Sequence, residues 1–191
     1  DLTRGEMGTR GTPEERLKEA EEAAEVLGLC ERVNLDMGDG KLRNSEDNRR
    51  KIINEVRRLR PSIVLVHHWN DLHPDHTAAA EMLRDSMYPM GMTKYDAEGE
   101  AFRPHEVLFF MGHFPFEPNL IVGVSKDDME VKLAACRCYK SQLYQPGNQE
   151  RETNISQPDF LDHIVARARH YGSQILKTYG EPFVVRRPVP V

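Results

Sequence analysis

Asp71-Leu72-His73-Pro74-Asp75-His76 gathers two imidazoles and two carboxylates within six residues. Groups of these types can ligate a metal ion, carry a proton, or steady charge that develops during a reaction. Their use depends on the elements that hold them. The preceding run, Ser62-Ile63-Val64-Leu65-Val66-His67-His68-Trp69, is apolar and β-branched, which predicts a parallel strand buried on both faces. The following run, Thr77 to Arg84, is rich in helix formers. Pro74 suits the first helical position, where its missing N–H costs nothing. The polar groups therefore collect at the C-terminal end of a strand, where open α/β sheets bind their ligands.

A helix beginning at Pro74 makes His73 its N-cap and places Asp75 and His76 at its second and third positions. The positive end of the helix dipole disfavours protonation of His76, which keeps the ring neutral and able to bind a metal. The same dipole favours the charge of Asp75, and a carboxylate near His73 would fix that ring's tautomer or stabilise its protonated form. Catalytic zinc usually takes three protein ligands and leaves one position for water, so one histidine is not a site. His67 and His68 alternate across their strand, and at most one faces the turn. Glu6, Asp36 and Asp39 could add carboxylates only where their loops converge. Two readings of the cluster stand at this point. It is a metal site, or His73 caps a helix while His76 makes an ordinary hydrogen bond. Asp71 is as readily a cap as a participant. His105, His113, His163 and His170 show no ligand spacing and read as structural.

The remaining elements are marked by their ends. Thr12-Pro13-Glu14-Glu15 is a capping box with proline at the first helical position, and Gly28 closes the helix that runs to Leu27. A short strand is predicted near Arg32-Val33-Asn34-Leu35, before the turn Met37-Gly38-Asp39-Gly40. A helix follows from Ser45 to Leu59, and Pro61 marks its exit. Strands are predicted at Glu106–Phe110 and Leu120–Val124. Ser125 caps a helix through Tyr139, with Asp128 at its third position. Residues 145–157 are polar and read as a loop. An amphipathic helix is predicted over Phe160–Tyr179, and a last strand over Glu181–Val185. Alternating strands and helices indicate an α/β fold, a three-layer Rossmann-like, mostly parallel sheet flanked by helices.

The 191 residues suit a single domain, 1–191, with its own core. A net charge of −5, with Lys and Arg spread along the chain, argues against nucleic acid as a partner. No apolar run spans a membrane. Cys30, Cys136 and Cys138 are odd in number and lack zinc-ribbon spacing, so they read as buried reduced thiols in a cytoplasmic setting. The chain begins at Asp1 without an initiator Met.

The cluster 71–76 resembles the second motif of the LmbE-like (PIG-L) family of zinc-dependent deacetylases, which act on N-acetylglucosaminides. Leu2 to Gly8 is similar to the loop after that family's second strand, and Arg16 to Gly28 to its next helix. Lys132 to Gln142 and Arg169 to Glu181 resemble its C-terminal helices, most of all in the bacillithiol branch that deacetylates N-acetylglucosaminyl-malate.

The resemblance implies that His76 ligates Zn2+, that His73 stabilises the oxyanion or protonates the leaving amine, and that Asp75 orients His73. Arg4, Glu6 and Arg16 are the implied contacts to a small-molecule sugar conjugate, through sugar hydroxyls or a carboxylate. Tyr139 and Gln142 are weaker candidates for the same pocket. Leu72 departs from the Arg often found there. The family's Ala-His-Pro-Asp-Asp motif, with two further ligands and the general base, is absent, as is the strand that carries it. The chain as written is therefore expected to bind zinc weakly, to be inactive, and to expose an apolar sheet edge. The resemblance also implies a homo-oligomer. The competing expectation is a non-catalytic glycan- or nucleotide-binding module without the metal.

Overall fold

The computed structural model describes residues 1–186. Its elements, in order, are α1 Pro13–Val26, α2 Glu46–Leu59, β1 Ile63–His67, α3 Pro74–Met90, β2 Glu106–Phe110, β3 Leu120–Val124, α4 Lys126–Cys138, α5 Phe160–Gln174 and β4 Tyr179–Val185. The strands form one open sheet in the order β1-β2-β4-β3, the Rossmann-like α/β arrangement expected. β1 and β2 run parallel, with Ile63 opposite Glu106 and His67 opposite Phe110. β4 runs antiparallel to β2, with Leu108 opposite Val185.

Two compact units divide the chain. One comprises residues 40–120 and 182–186. Within it β1, α3 and β2 form a crossover unit, since parallel neighbours need a long connection. Ser45 starts α2 by accepting the Asn48 N–H. Ile52, Ile53 and Val56 of α2 and Ala79, Met82 and Leu83 of α3 are buried, on helices that pack together. Truncating a core side chain such as Ile53 or Met82 would cost about 2–5 kcal/mol. Leu108, Phe183 and Val185 form a second cluster, with Phe110 and Leu120 against it. Arg57 is buried, and its guanidinium donates to five carbonyls, those of Pro89, Met90, Met92, Ala97 and Gly99.

The other unit comprises residues 1–39 and 121–181. Thr12 and Glu15 close the predicted capping box of α1, and Ser125 and Asp128 close that of α4. These two helices pack on one another. Glu19, buried on α1, accepts from the Ser141 backbone and hydroxyl.

Four expectations are corrected. β1 is not buried on both faces: it is the sheet's edge strand, and Ile63 and Leu65 are 54% and 56% exposed. Residues 32–35 form no strand, and their contact is with the chain start, where Leu35 N–H donates to Asp1 and Met37 N–H to Leu2. α5 ends at Gln174 rather than Tyr179, because Leu176 adopts φ +56°, a left-handed conformation no helix continues through. The thiols are free but not all buried: Cys30 is exposed, and Cys136 and Cys138 are half-buried. No helix among the described residues is long and apolar enough to cross a membrane.

Candidate metal centre

α3 begins as expected, with Pro74 in its first turn and His73 as the N-cap. Nδ1 of His73 accepts the Asp75 backbone N–H at 3.2 Å. An accepting Nδ1 carries no proton, so the neutral ring keeps its proton on Nε2. The capping hydrogen bond thus selects the tautomer, a task expected of a carboxylate. The Asp75 carboxylate is buried and used elsewhere. It accepts the N–H groups of Gly40 at 2.7 Å and Leu42 at 3.3 Å, tying the segment after Asp39 to the start of α3.

Asp71 is the hub of the cluster. Its Oδ1 faces the His73 N–H at 2.9 Å, His76 Nδ1 at 3.0 Å and His113 Nδ1 at 2.7 Å. Its Oδ2 accepts the His113 N–H at 2.9 Å. Burial opposes ionisation of Asp71, but these hydrogen bonds and the neighbouring imidazoles outweigh it and hold the carboxyl well below the usual carboxylate range. Gly112, next to His113, makes a very close approach, since a methyl there would run into the Asp71 carboxylate.

Other rings frame His76. His67 stacks on it with centroids 3.7 Å apart, and His73 lies 4.7 Å away on a nearly parallel plane. Burial lowers the proton affinity of His76, against the pull of Asp71. Burial and the His76 ring together push His67 down to about 4. As alternation predicts, His68 faces elsewhere, against Trp69 and Phe116. The net direction favours the neutral form of His76 that metal binding requires.

Among the described residues, Asp71, His76 and His113 each bring a potential ligand atom to within 4.8 Å of the others. Imidazole and carboxylate donors in this number suit zinc or a similar divalent cation. His113, read from sequence as structural, belongs to this centre. It lies 42 residues from Asp71, and no local spacing could mark it. The usable signal was its place just after β2, because β1 and β2 end side by side with His67 opposite Phe110.

The proposed substrate contacts lie in the unit of residues 1–39 and 121–181. Arg4 makes a two-pronged pair with Asp36, at 2.8 and 2.9 Å. Glu6 accepts the Asp39 N–H at 2.8 Å and the Arg4 N–H at 3.1 Å, and these bonds lower its pKa. Asp39 accepts the Met7 N–H. The Arg16 guanidinium lies against Gly5 and Gly8, with its Nε buried and unpartnered among the described residues. Tyr139 accepts from Arg32 and helps line a cavity of about 490 Å³ in this unit, while Gln142 donates to the Arg10 carbonyl.

Residues 1–87 match the profile of the PIG-L family, described as GlcNAc-PI de-N-acetylase. Over 146 residues the chain is 32% identical to the diacetylchitobiose deacetylase of Thermococcus kodakarensis, an alignment that takes in 74% of this chain and 54% of that protein. The chain thus spans about half the length of this curated relative. Among solved structures, a conserved protein of Thermus thermophilus is 38% identical with a TM-score of 0.89, covering 100% of this chain and 81% of its own. The N,N′-diacetylchitobiose deacetylase of Pyrococcus horikoshii, solved with an inhibitor, is 25% identical with a TM-score of 0.76, covering 96% of this chain and 70% of its own.

Proposed function

The chain belongs to the PIG-L (LmbE-like) family, and from that premise we propose that it is a zinc-dependent hydrolase that removes the acetyl group from an N-acetylglucosamine conjugate. The observation that carries this reading is the convergence of Asp71, His76 and His113 beside the capped His73, at the ends of two parallel strands. The relatives named as diacetylchitobiose deacetylases support the reaction class.

A bound divalent cation supplies Lewis-acid polarisation of the amide carbonyl and lowers the pKa of water. His76 is the residue that would hold it. His73 points an Nε2–H donor out of the helix cap, suited to the oxygen that gains charge as the amide carbonyl becomes tetrahedral. Its half-buried position limits competition from water. Asp75 contributes by fixing the backbone N–H that sets the His73 tautomer.

Within this class, N-acetylglucosaminyl-malate is the substrate we favour, on the resemblance carried by residues 132–142 and 169–181. The test is acetate release from N-acetylglucosaminyl-malate and from diacetylchitobiose by the zinc-loaded full-length protein and its His76→Ala variant. Loss of both zinc and turnover in the variant is expected. Full activity in His76→Ala would sink the proposal. Zinc-independent binding of either sugar without turnover would favour a non-catalytic module.

A further inference from the structure

Asp71 Oδ1 already serves three donors and Oδ2 a fourth, and the side chain is 0% exposed. A carboxylate offers about four acceptor sites in all, so these bonds use up its capacity. An imidazole that donates from Nδ1 must carry its proton there, which leaves the lone pair on Nε2, across the ring. For Asp71 and the two Nδ1 atoms to grip an ion directly, both ring protons would have to leave and the His73 N–H would have to lose its partner.

We propose that Asp71 is a positioning residue for the metal centre rather than a ligand. It holds His76 and His113 together in the Nδ1–H tautomer, so that His76 offers Nε2 to the ion and His113 presents Nε2 at the exposed mouth of the site. This rests on the metal-dependent reading above. A carboxylate behind a ligating histidine fixes the ring's orientation and raises its basicity. The stacked His67 and His73 rings limit rotation of His76 out of that plane. The His113 ring, 42% exposed, is held to Oδ1, the oxygen that also faces His76, by the shortest hydrogen bond of the cluster, and the His113 backbone N–H donates to Oδ2 of the same carboxylate. One carboxylate thereby sets two rings from two different strand ends.

Long-range 1H–15N spectra of the full-length, metal-free protein test the tautomers directly. Protons on Nδ1 of both His76 and His113 are expected. On titration with zinc chloride, the His76 Nε2 resonance should shift while Nδ1 stays protonated. Asp71→Asn should weaken zinc binding about 10–100-fold, the range seen when such outer partners are removed. Should that variant fail to fold, the wild-type spectra still decide. Deprotonation of His76 Nδ1 on zinc binding, or unchanged zinc affinity in a folded Asp71→Asn, would overturn the proposal while leaving the metal reading intact. Failure of the wild-type protein to take zinc would overturn both, and the metal-free tautomers would then report a structural triad.

Discussion

The imidazole of His67 lies flat on that of His76, with centroids 3.7 Å apart and planes 15° from parallel. Two rings so close cannot both carry a positive charge cheaply. With His67 lowered to about 4 in the fold and near 6.5 when unfolded, acid favours the unfolded chain. Both states are neutral above about pH 6.5, so the contribution is complete there. It is lost as pH falls from about 6.5 toward 4, where the unfolded chain binds a proton that the folded one resists. The loss is on the order of 2 kcal/mol, discounted for partial exposure. Asp71, whose folded pKa is depressed, pushes the same way at lower pH. Urea unfolding of the metal-free protein at about pH 7 and about pH 4.5 measures this, and His67→Phe should flatten the difference.

His73 should separate chemistry from metal binding. His73→Ala removes the Nε2–H donor and the α3 cap while leaving His76 in place. A fall in kcat of about 100- to 1,000-fold is expected, far larger than the loss of zinc affinity from removing one of the two rings stacked on His76, with about 1 kcal/mol of stability lost with the cap. Isothermal titration and steady-state kinetics on one preparation give both numbers.

Asp75 is a structural anchor as well. Its buried carboxylate satisfies two backbone N–H groups, of Gly40 and Leu42. Asp75→Ala strands both, and about 2–3 kcal/mol of stability should go with them. Equilibrium denaturation detects a loss of that size readily.

Arg57 is a large polar commitment of its unit. Five carbonyls around the end of α3 depend on one guanidinium. Arg57→Met should cost about 3 kcal/mol, and Arg57→Lys should recover only part, because a point charge cannot span the same fork. Hydrogen exchange should show the damage concentrated at residues 89–99.

The uncovered side chains of β1 carry a different expectation. Leu65→Lys replaces an exposed apolar group on an edge strand. Stability should move by less than about 0.5 kcal/mol, while self-association, followed by light scattering, should fall.

The sequence was most legible where local chemistry decides the structure. Thr12, Ser45, His73 and Ser125 all begin their helices, since a cap needs only neighbours a few residues away to show itself. β2 and β3 fall on their predicted residues because apolar runs bounded by polar ones leave little choice. Legibility failed where the partner is distant. Nothing near His113 announces Asp71, and nothing in Arg32 to Leu35 says that its hydrogen bonds go to the chain start. The exposure of Ile63 and Leu65 is equally invisible, because β-branched composition reports strand propensity and not what covers the strand. Half of the candidate site, Asp71 to His76, could be read. The other half was set by strand pairing.

Gly112 gives the centre a weak point that carries no charge. Its α-carbon marks the clearance through which the loop after β2 brings His113 to Asp71. Gly112→Ala would leave every ionisable side chain in the sequence and still drive a methyl into the space that the Asp71 carboxylate fills. Inactivating changes at this locus would then fall at a residue with no functional group at all. A scan confined to histidines and acids would pass over the most conservative way to take the site apart.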